Sequence, residues 1–170
     1  KKERFGTSWL VGDTLNVGIG QGFSLATPLQ LAVMTARLAS GKEVTPNIIK
    51  NPNKNVGDPK ALSIKENTLV AIRKGMFNVL NEKEGTAFNF RTTDKNFLIA
   101  GKTGTSQVRR ITREEREEGV IKNEDLPWKM RDHALFTCFA PYENPRYALS
   151  VVVEHGGSGS KIAAPIARDI

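Results

Sequence analysis

Apolar positions along this chain follow a helical period in its first half and a strand-like period in its second. After the glycine-rich stretch Gly18-Ile19-Gly20-Gln21-Gly22, Thr27-Pro28-Leu29-Gln30 combines an N-cap, a proline at the first helical position and a capping-box glutamine. The helix it opens is predicted to run to about Ser40, with Gly41 as its stop. Leu29, Ala32, Val33, Ala36 and Ala39 recur at helical spacing while Leu31, Met34 and Leu38 take the other side, which predicts burial nearly all round. Ser63-Ile64-Lys65-Glu66 is a second capping-box pattern, and Leu69, Ile72, Met76 and Leu80 mark the inward face of a helix that ends before Gly85. Between the helices, Pro46 to Pro59 holds three prolines and several asparagines and reads as a loop, with a short extended piece at Asn47 to Lys50.

From Phe97 the pattern becomes that of strands. Phe97 to Val108, His133 to Ala140 and Tyr147 to Glu154 are predicted as three, the last two joined as a hairpin by Pro141-Tyr142-Glu143-Asn144-Pro145. Gly156-Gly157-Ser158-Gly159 breaks the last strand, and Lys161 to Ile170 begins another helix. No repeat or linker divides the chain. Helices followed by consecutive antiparallel strands and a closing helix make an α+β fold, three antiparallel strands packed with helices, over residues 1–170.

Composition agrees with one ordinary domain: 170 residues, 39% hydrophobic, supply enough apolar surface for a core. The net charge of +7 favours anionic partners, so a basic module binding nucleic acid or an acidic protein has to be weighed. The charges do not form a dedicated face. Arg109 to Arg131, the densest stretch, mixes seven basic with six acidic residues and reads as a solvated loop or helix face. The lone cysteine, Cys138, excludes an internal disulfide and a cysteine metal cluster; set in an apolar run, it reads as a buried strand residue. No run of about 18 apolar residues exists. The chain is expected to be an excerpt, with any anchor or export signal outside it.

The chemistry concentrates at Lys102-Thr103-Gly104-Thr105, after the apolar Phe97 to Ala100. It offers a fixed ammonium, two hydroxyls and a residue without a side chain between them. A peptide ending in a carboxylate could place its charge against the hydroxyls and ammonium while its backbone pairs with the strand edge. Gly104 would allow close approach, and the Thr105 backbone N–H could face a developing oxyanion. Taken alone, the triplet reads more readily as an ordinary polar strand end.

Its surroundings decide more. Gly18-Ile19-Gly20-Gln21-Gly22, Ala26-Thr27-Pro28-Leu29-Gln30-Leu31-Ala32 and Ala100 to Val108 resemble, in order, the pattern of class B penicillin-binding proteins. His133-Ala134-Leu135-Phe136, Phe139-Ala140-Pro141 and Val151 to Gly157 are similar to that family's last two strands, so the resemblance covers nearly the whole chain. Gly12-Asp13-Thr14 and Glu154-His155-Gly156-Gly157 are most similar to its elongation-type members.

The resemblance implies the C-terminal part of a transpeptidase domain on the penicillin-binding protein and serine β-lactamase fold, with the Lys-Thr-Gly strand at the edge of the cleft. It implies a peptidoglycan D,D-transpeptidase that cross-links stem peptides, is acylated by β-lactams, and works with cell-wall elongation proteins including a glycosyltransferase. Such an enzyme stands on the periplasmic side of the cytoplasmic membrane, anchored by an N-terminal segment, and the implied site needs no cofactor, no metal and no nucleic acid. By the same resemblance Lys102 and the Thr105 N–H serve catalysis, and Lys102, Thr103, Gly104 and Thr105 bind substrate. A penicillin-recognising sensor on the same fold is the alternative.

The family's Ser-x-x-Lys and Ser-x-Asn/Asp motifs belong upstream of Gly18, and the expectation is that no serine here supplies the nucleophile, so that the isolated chain is inactive. Ala39-Ser40-Gly41-Lys42 departs from the family's Ala-Asn-Gly-Gly. His133 and His155 lack ligand-like spacing and read as structural, and Gly18 to Gly22 as a structural loop under the cleft. If the family's first strands are missing, the last strand should expose an edge, and self-association is expected.

Overall fold

The computed structural model describes residues 2–22, 24–49, 57–109 and 111–170. A three-stranded antiparallel sheet, in the order β1 (Ala100–Ser106), β2 (His133–Ala140) and β3 (Tyr147–Val153), organises it. Helices α1 (Lys2–Phe5), α2 (Val11–Gly18), α3 (Pro28–Ser40) and α4 (Glu66–Asn81) precede the sheet. The short α5 (Arg113–Glu118) lies between β1 and β2, and a π-type turn at Gly159–Ala163 leads into α6 (Ala164–Asp169).

β2 is covered on both faces because its alternate side chains meet different helices. Ala134, Phe136, Cys138 and Ala140 pack with Ala163, Ala164 and Ala167 of the C-terminal helical segment and with Leu80, Ala87 and Ile99. Phe139 points the other way, with Ala100, towards Ala39 of α3 and Met76 of α4. The three alanines let the C-terminal segment approach closely, and Phe136 and Phe139 fill the two halves of the core. Truncating either to alanine costs about 3–5 kcal/mol. Cys138 is buried and free, as its apolar run indicates.

α3 begins and ends where local chemistry places it. The Thr27 N–H donates to Gln30 Oε1 at 2.8 Å, the Gln30 N–H donates back to Thr27 Oγ1 at 3.2 Å, and Gly41 at φ 70° takes the left-handed cap. It is not buried all round, however: only Thr35 and Ala39 are, while Leu29 and Met34 are 56% and 45% exposed. One side packs on the sheet; the other lines an open groove of about 630 Å³ with Leu25, Pro46 and Ile64.

Several boundaries differ from expectation. The second capping box does not form. Lys65 is the N-cap of α4; its carbonyl accepts from the Thr68 and Leu69 N–H groups and starts the first turn there, and its side chain, which has no acceptor, makes no cap. The inward face of α4 is as predicted, with Leu69, Met76 and Leu80 buried. β1 starts at Ala100 rather than Phe97, because Asp94 caps a tight turn over Lys95–Phe97 by accepting from the Asn96 N–H at 2.8 Å. Asn47 to Ile49 form no strand, the isolated bridge of Lys42 to Ala61 being the only strand-like pairing near them among the described residues, and Lys50 lies outside those. α2 was not foreseen; its first turn is closed by the Leu10 N–H donating to Asp13 Oδ2 at 2.7 Å, and none of its residues is buried. Gly18 to Gly22 ends this helix in an exposed turn, with Gly20 and Gly22 at positive φ. Arg109 and residues 111–131 are mostly exposed, as read, in α5 and short turns.

Candidate active site

Lys102-Thr103-Gly104-Thr105 lies on β1, whose one partner among the described residues is β2, so the four residues stand along an edge of this sheet. Lys102 and Thr105 are exposed, Thr103 and Gly104 half-buried. Opposite them on β2 are Thr137, Phe136, Leu135 and Ala134 in turn. The Lys102 ammonium donates to the Thr103 carbonyl at 2.7 Å. Peptide groups two apart on a strand face the same way, so the Thr105 N–H shares the side of the Thr103 carbonyl.

The strand is held from three directions. At its start, Asn81 Nδ2 donates to the Ile99 carbonyl at 2.9 Å and to the Phe77 carbonyl at 2.8 Å, tying the end of α4 to the chain entering β1. Gly101 must be glycine, because a methyl group there would stand 2.6 Å from the Phe136 ring and 2.7 Å from the Thr137 carbonyl oxygen. At its end, Arg109 meets Glu115 at 2.8 Å, both side chains largely covered. The Thr112 backbone N–H first, and the Arg109 guanidinium after it, holds the Glu115 carboxyl below its ordinary range.

Two histidines build the corner that carries the chain from β3 to the C-terminal helices. His155 has a left-handed backbone, φ 55°, and its N–H donates to His133 Nδ1 at 2.9 Å. His133 therefore presents Nδ1 as a lone pair, while His155 Nδ1, 2.9 Å from the Arg131 carbonyl, carries the proton. The Trp128 and His155 rings lie 4.6 Å apart, and the Gly157 N–H donates to the Asp132 carbonyl at 2.8 Å. Each ring thus uses its Nδ1 to hold backbone geometry, which supports the structural reading. Among the described residues no group of histidine, cysteine and carboxylates could hold a metal.

That no serine here supplies the nucleophile does not follow from spacing alone. Ser158-Gly159-Ser160-Lys161 does satisfy the Ser-x-x-Lys spacing. Its serine is used as a cap: Ser158 Oγ accepts from the Lys161 N–H at 3.3 Å and lies 3.2 Å from Ser160 Oγ. The motif also follows the Lys-Thr-Gly strand, whereas the family's nucleophile precedes it.

One site residue escaped the sequence reading. Thr86 Oγ1 lies 3.0 Å from Thr103 Oγ1, across a separation of 17 residues that no spacing pattern reveals.

Comparison with known proteins settles the family. Residues 1–170 match the model of the penicillin binding protein transpeptidase domain. The chain belongs to that family. It is 37% identical over its whole length to peptidoglycan D,D-transpeptidase MrdA of Haemophilus influenzae, and covers 27% of it. Among solved structures, penicillin-binding protein PBP2 of Helicobacter pylori in complex with MreC matches 99% of this chain with TM-score 0.79 and 40% identity, over 28% of that chain. PBP2 of Pseudomonas aeruginosa in complex with WCK 5153 matches 99% with TM-score 0.71 and 35% identity, over 33% of that chain. The chain spans about a quarter of the length of the curated relatives it matches. Its α+β architecture is that of the penicillin-binding transpeptidases.

Proposed function

We propose that this chain forms the Lys-Thr-Gly wall of a serine D,D-transpeptidase that cross-links peptidoglycan stem peptides. The observation that carries the reading is the set of an exposed ammonium, two threonines and an N–H along one edge of the sheet. A donor peptide lying along β1 would place its terminal carboxylate against the Thr103 and Thr105 hydroxyls and the Lys102 ammonium, as charge-assisted hydrogen bonds favour. The Thr105 N–H would then stabilise the oxyanion formed when a serine oxygen attacks the penultimate carbonyl. Loss of one such donor typically costs about 3 to 4 kcal/mol of transition-state stabilisation. The serine's proton passes to a base, the terminal D-alanine leaves as its amine takes a proton, and a neighbouring strand's amine receives the acyl group.

The serine and its lysine would come from a Ser-x-x-Lys segment outside these 170 residues, since Ser158 is occupied as a cap. β-Lactams would acylate that same serine. The sequence relatives support an elongation-type enzyme, and the Helicobacter structure containing MreC supports a protein of that kind as partner; a glycosyltransferase partner is proposed with it from the family resemblance alone. Among the described residues no helix is long and apolar enough to cross a membrane, so a periplasmic position on the membrane would depend on a segment elsewhere.

A fluorescent penicillin tests the reading. The full protein should be labelled covalently, and Lys102→Ala should lower the labelling rate by about two orders of magnitude. The isolated 170-residue chain should remain unlabelled after denaturation. Labelling of that chain, abolished by Ser158→Ala, would overturn the placement of the nucleophile; an unlabelled full protein would overturn the activity.

A further inference from the structure

We infer that Thr86 is a positioning residue that fixes the direction in which the Thr103 hydroxyl donates; this rests on the proposed binding of a substrate carboxylate at Thr103. The two hydroxyl oxygens are 3.0 Å apart, and on geometry alone either could donate. Chemistry removes that ambiguity once an anion is bound. A hydroxyl has one proton and two lone pairs, whereas a carboxylate only accepts. Thr103 must then give its proton to the carboxylate, so the proton between the threonines comes from Thr86. A donor that itself accepts a hydrogen bond is polarised towards its acceptor, and the Thr86–Thr103 chain ends on the negative charge.

The loop carrying Thr86 is built to hold still. The Ala87 N–H donates to the Val79 carbonyl at 3.0 Å, the Gly85 N–H to the Glu82 carbonyl at 2.9 Å, and the Phe88 N–H to the Gly85 carbonyl at 3.1 Å. Gly85 is pressed so closely to α4 that a methyl group there would overlap the carbonyl oxygens of Asn78 and Val79. Ala87 is buried in the same core cluster as Phe136 and Ala163. Thr86 thus sits between two fixed neighbours, and its β-branched side chain has few rotamers. Asn81, four residues from Gly85, bonds the Ile99 carbonyl and so joins this loop and β1 into one unit.

The test compares acylation of the full protein by benzylpenicillin and by its methyl ester, which lacks the anionic carboxylate. Thr86→Val keeps the shape and removes the hydroxyl. It is expected to slow acylation by the free acid about five- to ten-fold while changing the ester rate less than about two-fold. Thr86→Ser should restore the acid rate, and in a Thr103→Val background Thr86→Val should have no further effect. Equal losses for acid and ester, no loss for either, or failure of Thr86→Ser to rescue would overturn the inference. Should Thr86→Val not fold, Thr86→Ala is read by the same acid-to-ester ratio. A wild-type protein that neither compound acylates would instead overturn the proposed function, and this inference with it.

Discussion

Gly159, the first residue of the C-terminal helical segment, rests on the backbone of Gly104, the glycine of the Lys-Thr-Gly triplet. A methyl group on Gly159 would overlap the carbonyl oxygens of Gly104 and Leu135 and stand 3.0 Å from the Gly104 nitrogen. The rung of the ladder that joins β1 to β2 at the site is therefore also the seat of the closing helix. Gly159→Ala is expected to destabilise the protein by about 1–3 kcal/mol, because backbone atoms cannot rotate out of the way as a side chain can. Denaturant unfolding measures this. Gly75→Ala is the contrast: an exposed position inside α4 with open space around it, expected to gain about 0.5–1 kcal/mol.

Asn81→Ala removes the bridge from α4 to the entrance of β1. It leaves the carbonyl of the buried Ile99 without its partner, an expected loss of about 1–3 kcal/mol. Hydrogen exchange should show the amides of β1 opening more readily than those of β3. Equal effects on the two strands would count against a local role.

Cys138 should behave as an inert hydrophobe. Burial pushes its thiol from the ordinary 9.0 up to about 12, so it stays protonated and shielded. A thiol reagent at pH 8 should label it only after denaturation. The sign of the linkage follows: above about pH 9 the unfolded thiol loses a proton that the folded one keeps. Stability then falls by about 1.4 kcal/mol per pH unit up to roughly pH 12. Cys138→Ala should flatten that part of the stability–pH curve relative to wild type.

The isolated chain should self-associate. β3 is the other end of the sheet, its outer edge unpaired among the described residues, and Leu25, Leu29, Met34 and Ile64 expose apolar surface along the α3 groove. Light scattering should show oligomers growing with concentration, and Leu29→Glu should reduce them. A monomer at high micromolar concentration would exclude this.

Local rules were legible wherever they act within a few residues. The cap of α3 at Thr27 and its stop at Gly41 depend on neighbours in the chain, as does the inward stripe of α4, and all appear as predicted. β2 could be read to its terminal residues because a mainly apolar run of this length, broken only by His133 and Thr137, has to be covered on both faces. α2 escaped because it is only eight residues long and carries glycine at positions 12 and 18, which leaves too few turns and too weak a helix propensity to announce it. The burial of α3 was overstated, since composition tells that a stripe is apolar but not that something lies against it.

By itself the sequence determined the α+β order of elements, the family, and the triplet at the centre of the site, all through contiguous motifs. Only the tertiary structure decided what that triplet touches. The neighbours Thr86, Gly159 and Asn81 reach β1 from a loop, a turn and a helix separated in sequence, and close packing, rather than any spacing along the chain, brings them there.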